Sequence, residues 1–141
     1  MKKIAVIYWS GTGNTEMMAD YVSQGIKSQG AEAEVIQCSD FNKDQINNYS
    51  ALALGCPSMG SEQLEESEFE PMFNDIKESL KGKKIGLFGA YGWGDGEWMR
   101  NWESDCENSG ALLASASVIS SDAESDDTKT ECINLGSKLA S

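Results

Sequence analysis

Short apolar runs alternate with amphipathic runs along nearly the whole chain, and that alternation restricts the fold more than any other feature. Residues 3–8 (KIAVIY) are apolar and partly β-branched, the pattern of a buried strand. Residues 14–29 then set Met18, Val22, Gly25 and Ile26 on one helical face. Residues 31–38 (AEAEVIQC) and 50–56 (SALALGC) read as a second and a third strand. The piece between them, DFNKDQINNY, has room for only a turn or two of helix. Phe69, Phe73, Ile76 and Leu80, spaced by four, three and four, form one stripe of a helix. A fourth strand follows at 83–89 (KKIGLFG), then a helix with Trp98, Trp102 and Cys106 on one face. Residues 111–120 (ALLASASVIS) read as a fifth strand, and Cys132, Leu135 and Leu139 mark a closing helix.

Strands that alternate with helices imply an α/β fold, one parallel sheet with helices on both faces. At 141 residues, with two prolines and no low-complexity linker, residues 1–141 are expected to form a single domain. Right-handed crossovers leave few topologies. Ligands of such sheets sit beyond the carboxyl ends of the strands, where the strand order reverses. The loops to inspect are therefore 9–15, 56–68, 89–97 and 120–128.

Composition removes several classes of function. The net charge of −12 argues against nucleic acid and anionic membrane surfaces, and favours a basic protein partner. No apolar run reaches the length of a membrane span, and the first residues lack the form of a signal peptide, so a cytoplasmic protein is expected. Cys38, Cys56, Cys106 and Cys132 are too far apart in sequence for a CxxC pair, and each reads as a small buried hydrophobe. The absence of histidine removes the commonest general base and the commonest transition-metal ligand. No metal site and no catalytic residue is expected.

The stretch Tyr8-Trp9-Ser10-Gly11-Thr12-Gly13-Asn14-Thr15-Glu16 joins the first strand to the first helix. Free backbone N–H groups and the helix dipole make that junction an anion site. Gly11 and Gly13 let the backbone curl around a ligand, and Ser10, Thr12, Asn14 and Thr15 add side-chain donors. Six such residues in a row exceed what a helix cap needs. The lysine of a nucleoside triphosphate loop is missing, and Glu16 stands where a dinucleotide loop needs its third glycine. A neutral, hydroxyl-rich cradle suits one terminal phosphate.

Two further loops refine that reading. Gly55-Cys56-Pro57-Ser58-Met59-Gly60-Ser61-Glu62 follows the third strand, and Gly89-Ala90-Tyr91-Gly92-Trp93-Gly94-Asp95-Gly96-Glu97 follows the fourth. A tryptophan among glycines lacks a core to join; it suits a partner hot spot or a stacking plate for a flat ligand. Met59 stands across the switch point, and thioethers pack well on aromatic faces. Together the three loops point to a planar heterocycle bearing a single phosphate, which describes FMN.

On YWSGTGNTE, LGCPSMGSEQLEESEFEP and GLFGAYGWGDGEWM, the chain resembles the short-chain flavodoxins over essentially its full length. The resemblance implies that family's doubly wound, five-stranded parallel sheet in the order 2-1-3-4-5, with FMN at the switch point between strands one and three. It implies a cofactor site made of Trp9, Ser10, Gly11, Thr12, Gly13, Asn14 and Thr15, then Pro57, Ser58, Met59, Gly60, Ser61 and Glu62, then Gly89, Ala90, Tyr91, Gly92, Trp93 and Gly94. In the roles carried over, Ser10, Thr12, Asn14 and Thr15 hold the phosphate. Trp93 stacks on the outer face of the ring and Met59 lies on the inner face. Gly60 offers its carbonyl to flavin N5–H, and Glu62 accepts from flavin N3–H. The chain departs from the family where Ala90 stands at a position at which close relatives often carry a serine that can touch phosphate, and where Ser61 stands at a position at which some carry an aspartate.

The function implied is that of a low-potential electron carrier, with bound FMN moving between quinone, neutral semiquinone and anionic hydroquinone. Its partners would be redox proteins with a basic docking patch, and the chain would act as a monomer. Carboxylates follow the loops at Glu62, Glu65, Glu66, Glu68 and Glu70, at Asp95 and Glu97, and at Asp122, Glu124, Asp126 and Asp127. Each one about 12 Å from the ring would add roughly 0.7 kcal/mol of repulsion toward an anionic flavin at an effective dielectric of about 40. Glu65 and Glu66 individually read as parts of a solvated face. A receiver domain shares the topology but needs acidic residues where Tyr8-Trp9 and Gly55-Cys56 stand. A low-mass phosphatase needs an arginine shortly after Cys56, and Arg100 is the only arginine. An FMN-dependent reductase of a small quinone-like or nitro substrate is the alternative, and it would need an open pocket beside the ring.

Overall fold

The computed structural model describes residues 2–60, 62–92 and 94–141. Its sheet runs β2 (Glu32–Gln37), β1 (Lys3–Tyr8), β3 (Ala51–Gly55), β4 (Lys84–Ala90), β5 (Leu112–Leu113), all parallel. A sixth short strand, β6 (Val118–Ser120), also pairs in parallel with β4. The order 2-1-3-4-5 is the one expected. The fifth strand differs in being split. Four residues, 114–117, span the gap that Gly86 and Leu87 alone cover on β4, so the chain leaves the ladder after Leu113 and rejoins it at Val118. The segment between β2 and β3 holds two 3-10 turns, Cys38–Asp40 and Lys43–Asn48.

Helices α1 (Asn14–Ser28) and α4 (Asp126–Ala140) cover one face of the sheet; α2 (Phe69–Ile76) and α3 (Glu97–Asn108) cover the other. The period-two alternation of the strands decides which side chains go where. Ile4, Val6, Ala51, Ala53 and Phe88 meet Met18, Val22, Ile26, Cys132, Leu135 and Leu139. Ala5, Ile7, Leu52, Leu54, Ile85 and Leu87 meet Phe69, Phe73, Trp98 and Trp102. The α2 stripe ends early as a regular helix, passing into a 3-10 turn at Lys77–Ser79, yet Leu80 still reaches the core. All four cysteines are free and buried.

α1 and α4 pack in close backbone contact. A Cβ on Gly25 would stand 2.0 Å from the Ile133 carbonyl oxygen, and one on Gly136 would stand 2.0 Å from that of Val22. Each helix thus has a glycine where the other's backbone touches it. No described helix is long and apolar enough to cross a membrane.

Candidate FMN site

The loops that follow β1, β3 and β4 leave the same edge of the sheet side by side, because backbone pairing continues one step past the strands. Trp9 N–H donates to Gly55 O (3.0 Å), Ser58 N–H to Ala90 O (2.9 Å) and Tyr91 N–H to Ser120 O (3.0 Å). They enclose an open cleft of about 350 Å³. Trp9, Gly11, Thr12 and Asn14 line it from the first loop, Pro57, Ser58 and Met59 from the second, and Ala90, Tyr91 and Gly92 from the third. Three segments distant in sequence thus line one cleft.

The first loop is built for an anion. Gly13 takes φ 97°, a left-handed conformation that costs other residues about 1 kcal/mol or more, and caps α1 without a side-chain hydrogen bond. The first bond running back along the helix is Met17 N–H to Gly13 O at 3.0 Å, so the N–H groups of Asn14, Thr15 and Glu16 have no intrahelical acceptor. The helix dipole adds roughly half a positive charge at that end. The Ser10 hydroxyl braces the turn by accepting Gly13 N–H at 3.0 Å. Thr15 is buried, and its hydroxyl accepts the Ala90 N–H at 3.4 Å, tying the loop to β4.

These features pass the test that a flavin nucleotide sets. N–H groups with no partner among the described residues, together with Thr12 and Asn14, suit a phosphate, while Trp9, Met59 and Tyr91 give apolar surface for a ring. Around Gly60 and Gly92 a Cβ would meet no atom of the other described residues within 4 Å.

Other expected site residues stand slightly apart. Ser10 and Gly13 line a second cavity, of about 240 Å³, behind the first loop, together with Tyr8, Glu16 and Glu68. Trp9 and Gly11 border both cavities. The Trp9 indole N–H donates to Glu68 at 3.0 Å, and the Tyr8 hydroxyl donates to Glu16 at 2.9 Å. Burial, followed by that bond to Glu16, raises the Tyr8 pKa. Gly89 lies inside β4. Ser61 and Trp93 lie outside the described residues, so the ring-stacking role expected of Trp93 falls there too.

Glu62 is already engaged within the protein. Its carboxylate accepts the N–H groups of Asp95 (3.4 Å) and Trp98 (3.3 Å) at the start of α3, and it lies against Gly94. Glu65 corrects the sequence reading: it is 5% exposed, not part of a solvated face. It accepts the N–H groups of Ser67 (2.8 Å), Glu68 (2.8 Å) and Phe69 (2.9 Å) and the Ser67 hydroxyl, capping α2. Burial works against its charge, but these bonds prevail and lower its pKa. An acidic residue just ahead of the Phe69 stripe was the available signal. Ser121, which also lines the cleft, was missed, because the loop after the fifth strand drew attention only for its carboxylates.

The flavodoxin family model matches residues 6–136. A flavodoxin of Megasphaera elsdenii is 44% identical over 137 residues, covering 97% of this chain and 98% of its own. One from Clostridium beijerinckii is 45% identical over 135 residues, covering 96% and 97%. The solution structure of the two-electron reduced Megasphaera elsdenii flavodoxin superposes with a TM-score of 0.88 over 97% of this chain and 98% of that one. With sheet order, loop geometry and relatives in agreement, the chain belongs to the flavodoxin family, whose members transfer electrons on bound FMN.

Proposed function

We propose that residues 1–141 form one FMN-binding unit that carries electrons between separate redox proteins and has no substrate turnover of its own. The observation that carries this reading is the single cleft where three loops meet the unpartnered first turn of α1. Bound FMN supplies the one-electron chemistry, and the protein tunes it. The N–H groups of Asn14 and Thr15, with Thr12, Asn14 and the braced Ser10 turn, hold the phosphate. Met59, which lines the cleft, would cover one ring face, and the sequence offers Trp93 for the other. The Gly60 carbonyl would be the acceptor for flavin N5–H, and Glu62, which caps α3, would also accept from flavin N3–H.

The partners we infer are proteins with a basic docking patch. Glu66, Glu68, Asp95, Glu97, Asp122 and Glu124 are exposed on the cleft loops, and the chain carries a net charge of −12. We also infer a monomer, and a cytoplasmic carrier, since the four free thiols are typical of a reducing compartment.

The FMN-loaded protein mixed with NAD(P)H alone provides the test. A carrier stays oxidised until a separate reductase is added. Sustained turnover of a quinone or nitro compound with NAD(P)H alone would establish the reductase alternative instead.

A further inference from the structure

A fourth loop, following β6, brings Ser121 to the wall of the cleft. Its placement is firmly set. Tyr91 N–H donates to Ser120 O at 3.0 Å, which extends the β4–β6 pairing to the cleft rim. On the other side, the hydroxyls of Ser120 and Thr128 lie 2.6 Å apart, both buried. The Thr128 hydroxyl donates to Asp122 O (3.0 Å), Ser120 Oγ accepts the Asp122 N–H (3.0 Å), and Ser125 Oγ accepts the Thr128 N–H (3.1 Å) as the cap of α4. Both neighbours of Ser121 are therefore tied down. Ser121 itself is exposed, and its hydroxyl bonds to no described residue.

Pro57 and Ala90 line the cleft without a polar side-chain group, while Thr12 and Asn14 line it with donors. A serine hydroxyl can donate to a phosphate or sugar oxygen, and a bond to an anion is among the stronger kinds. We propose that Ser121 is a cofactor-binding residue whose hydroxyl donates to an oxygen of the ribityl phosphate tail, making the polar contact that Ala90 cannot. The proposal rests on FMN as the ligand.

Apoprotein titrated with FMN and with riboflavin, followed by quenching of flavin fluorescence, tests it in the parent, Ser121→Ala and Ser121→Thr. The expected result is a loss of about tenfold in FMN affinity for Ser121→Ala, with Ser121→Thr close to the parent. A loss confined to FMN places the acceptor on the phosphate; an equal loss for riboflavin places it on the ribityl chain. FMN affinity unchanged in Ser121→Ala, or lowered equally in both variants, would overturn the proposal. A parent that binds no FMN would instead overturn the cofactor reading on which it rests.

Discussion

The Glu62 carboxylate accepts the Trp98 N–H at 3.3 Å, so the loop after β3 caps the helix that follows β4. The contact joins two cleft loops before any ligand arrives. Glu62 is also the only described non-glycine residue with positive φ, at 47°, a conformation costing roughly 1–2 kcal/mol. Bonds to two N–H groups at a helix N-terminus offset that strain. Glu62→Ala should therefore destabilise the FMN-free protein by about 1 kcal/mol. Glu62→Gln, which keeps an acceptor, should lose less. Urea unfolding followed by circular dichroism measures both, and identical midpoints for parent and Glu62→Ala would contradict the capping role.

Gly60 offers a cleaner probe of redox tuning, since a Cβ there would meet no atom of the described residues within 4 Å. In the proposed role, glycine would let the Gly60 peptide turn its carbonyl toward flavin N5–H without steric cost. One hydrogen bond worth about 1 kcal/mol corresponds to about 40 mV in a one-electron potential. Gly60→Val should shrink the blue absorbance seen at half reduction and lower the first potential by about that amount. Equal blue yields in a parallel dithionite titration would rule out this role for Gly60.

The amount of this legible in the sequence depended on whether the signal was local. Met18, Val22 and Ile26 repeat at helical spacing, and the strands alternate, so the two packed faces could be read directly. The Ser10–Thr15 loop announced itself because glycines and hydroxyls were concentrated in a single turn. The break in the fifth strand was not legible. Residues 114–117 carry no glycine, proline, asparagine or aspartate, and the mismatch arises only against Gly86 and Leu87 on β4. Glu65 and Ser121 were hidden for a similar reason. One looked like any acid in a run of acids, the other like any loop serine, until the fold supplied their surroundings.

The acidic rim predicts salt-sensitive partner kinetics. With Glu65 buried under α2, the ring of exposed charge is smaller than the sequence implied, but Glu66, Glu68, Asp95 and Glu97 still face solvent. Electrostatic steering of this kind speeds association tenfold or more and is screened by salt. Stopped-flow reduction by a basic reductase should slow by about tenfold from low to high ionic strength. A rate indifferent to salt would leave the carboxylates without a steering role.

Glu65 also links stability to pH. Its folded pKa lies below the ordinary carboxylate value, so the folded state favours the charged form. The resulting stability is present above the unfolded pKa of about 4.3 and is lost as pH falls through the lower folded value. Glu65→Gln should cost about 1–2 kcal/mol at neutral pH and progressively less below that range. Unfolding free energies measured across acid pH should converge for parent and variant; a gap that stayed constant with pH would assign the effect to packing alone.

The central claim is that three loops and the first turn of α1 hold one FMN. It is tested most directly by titrating apoprotein with FMN while recording flavin fluorescence. The account predicts quenching that saturates at one FMN per chain, yellow protein after gel filtration, and much weaker binding of riboflavin, which lacks the phosphate. Fluorescence that stays unquenched, with colourless protein emerging from the column, would contradict it.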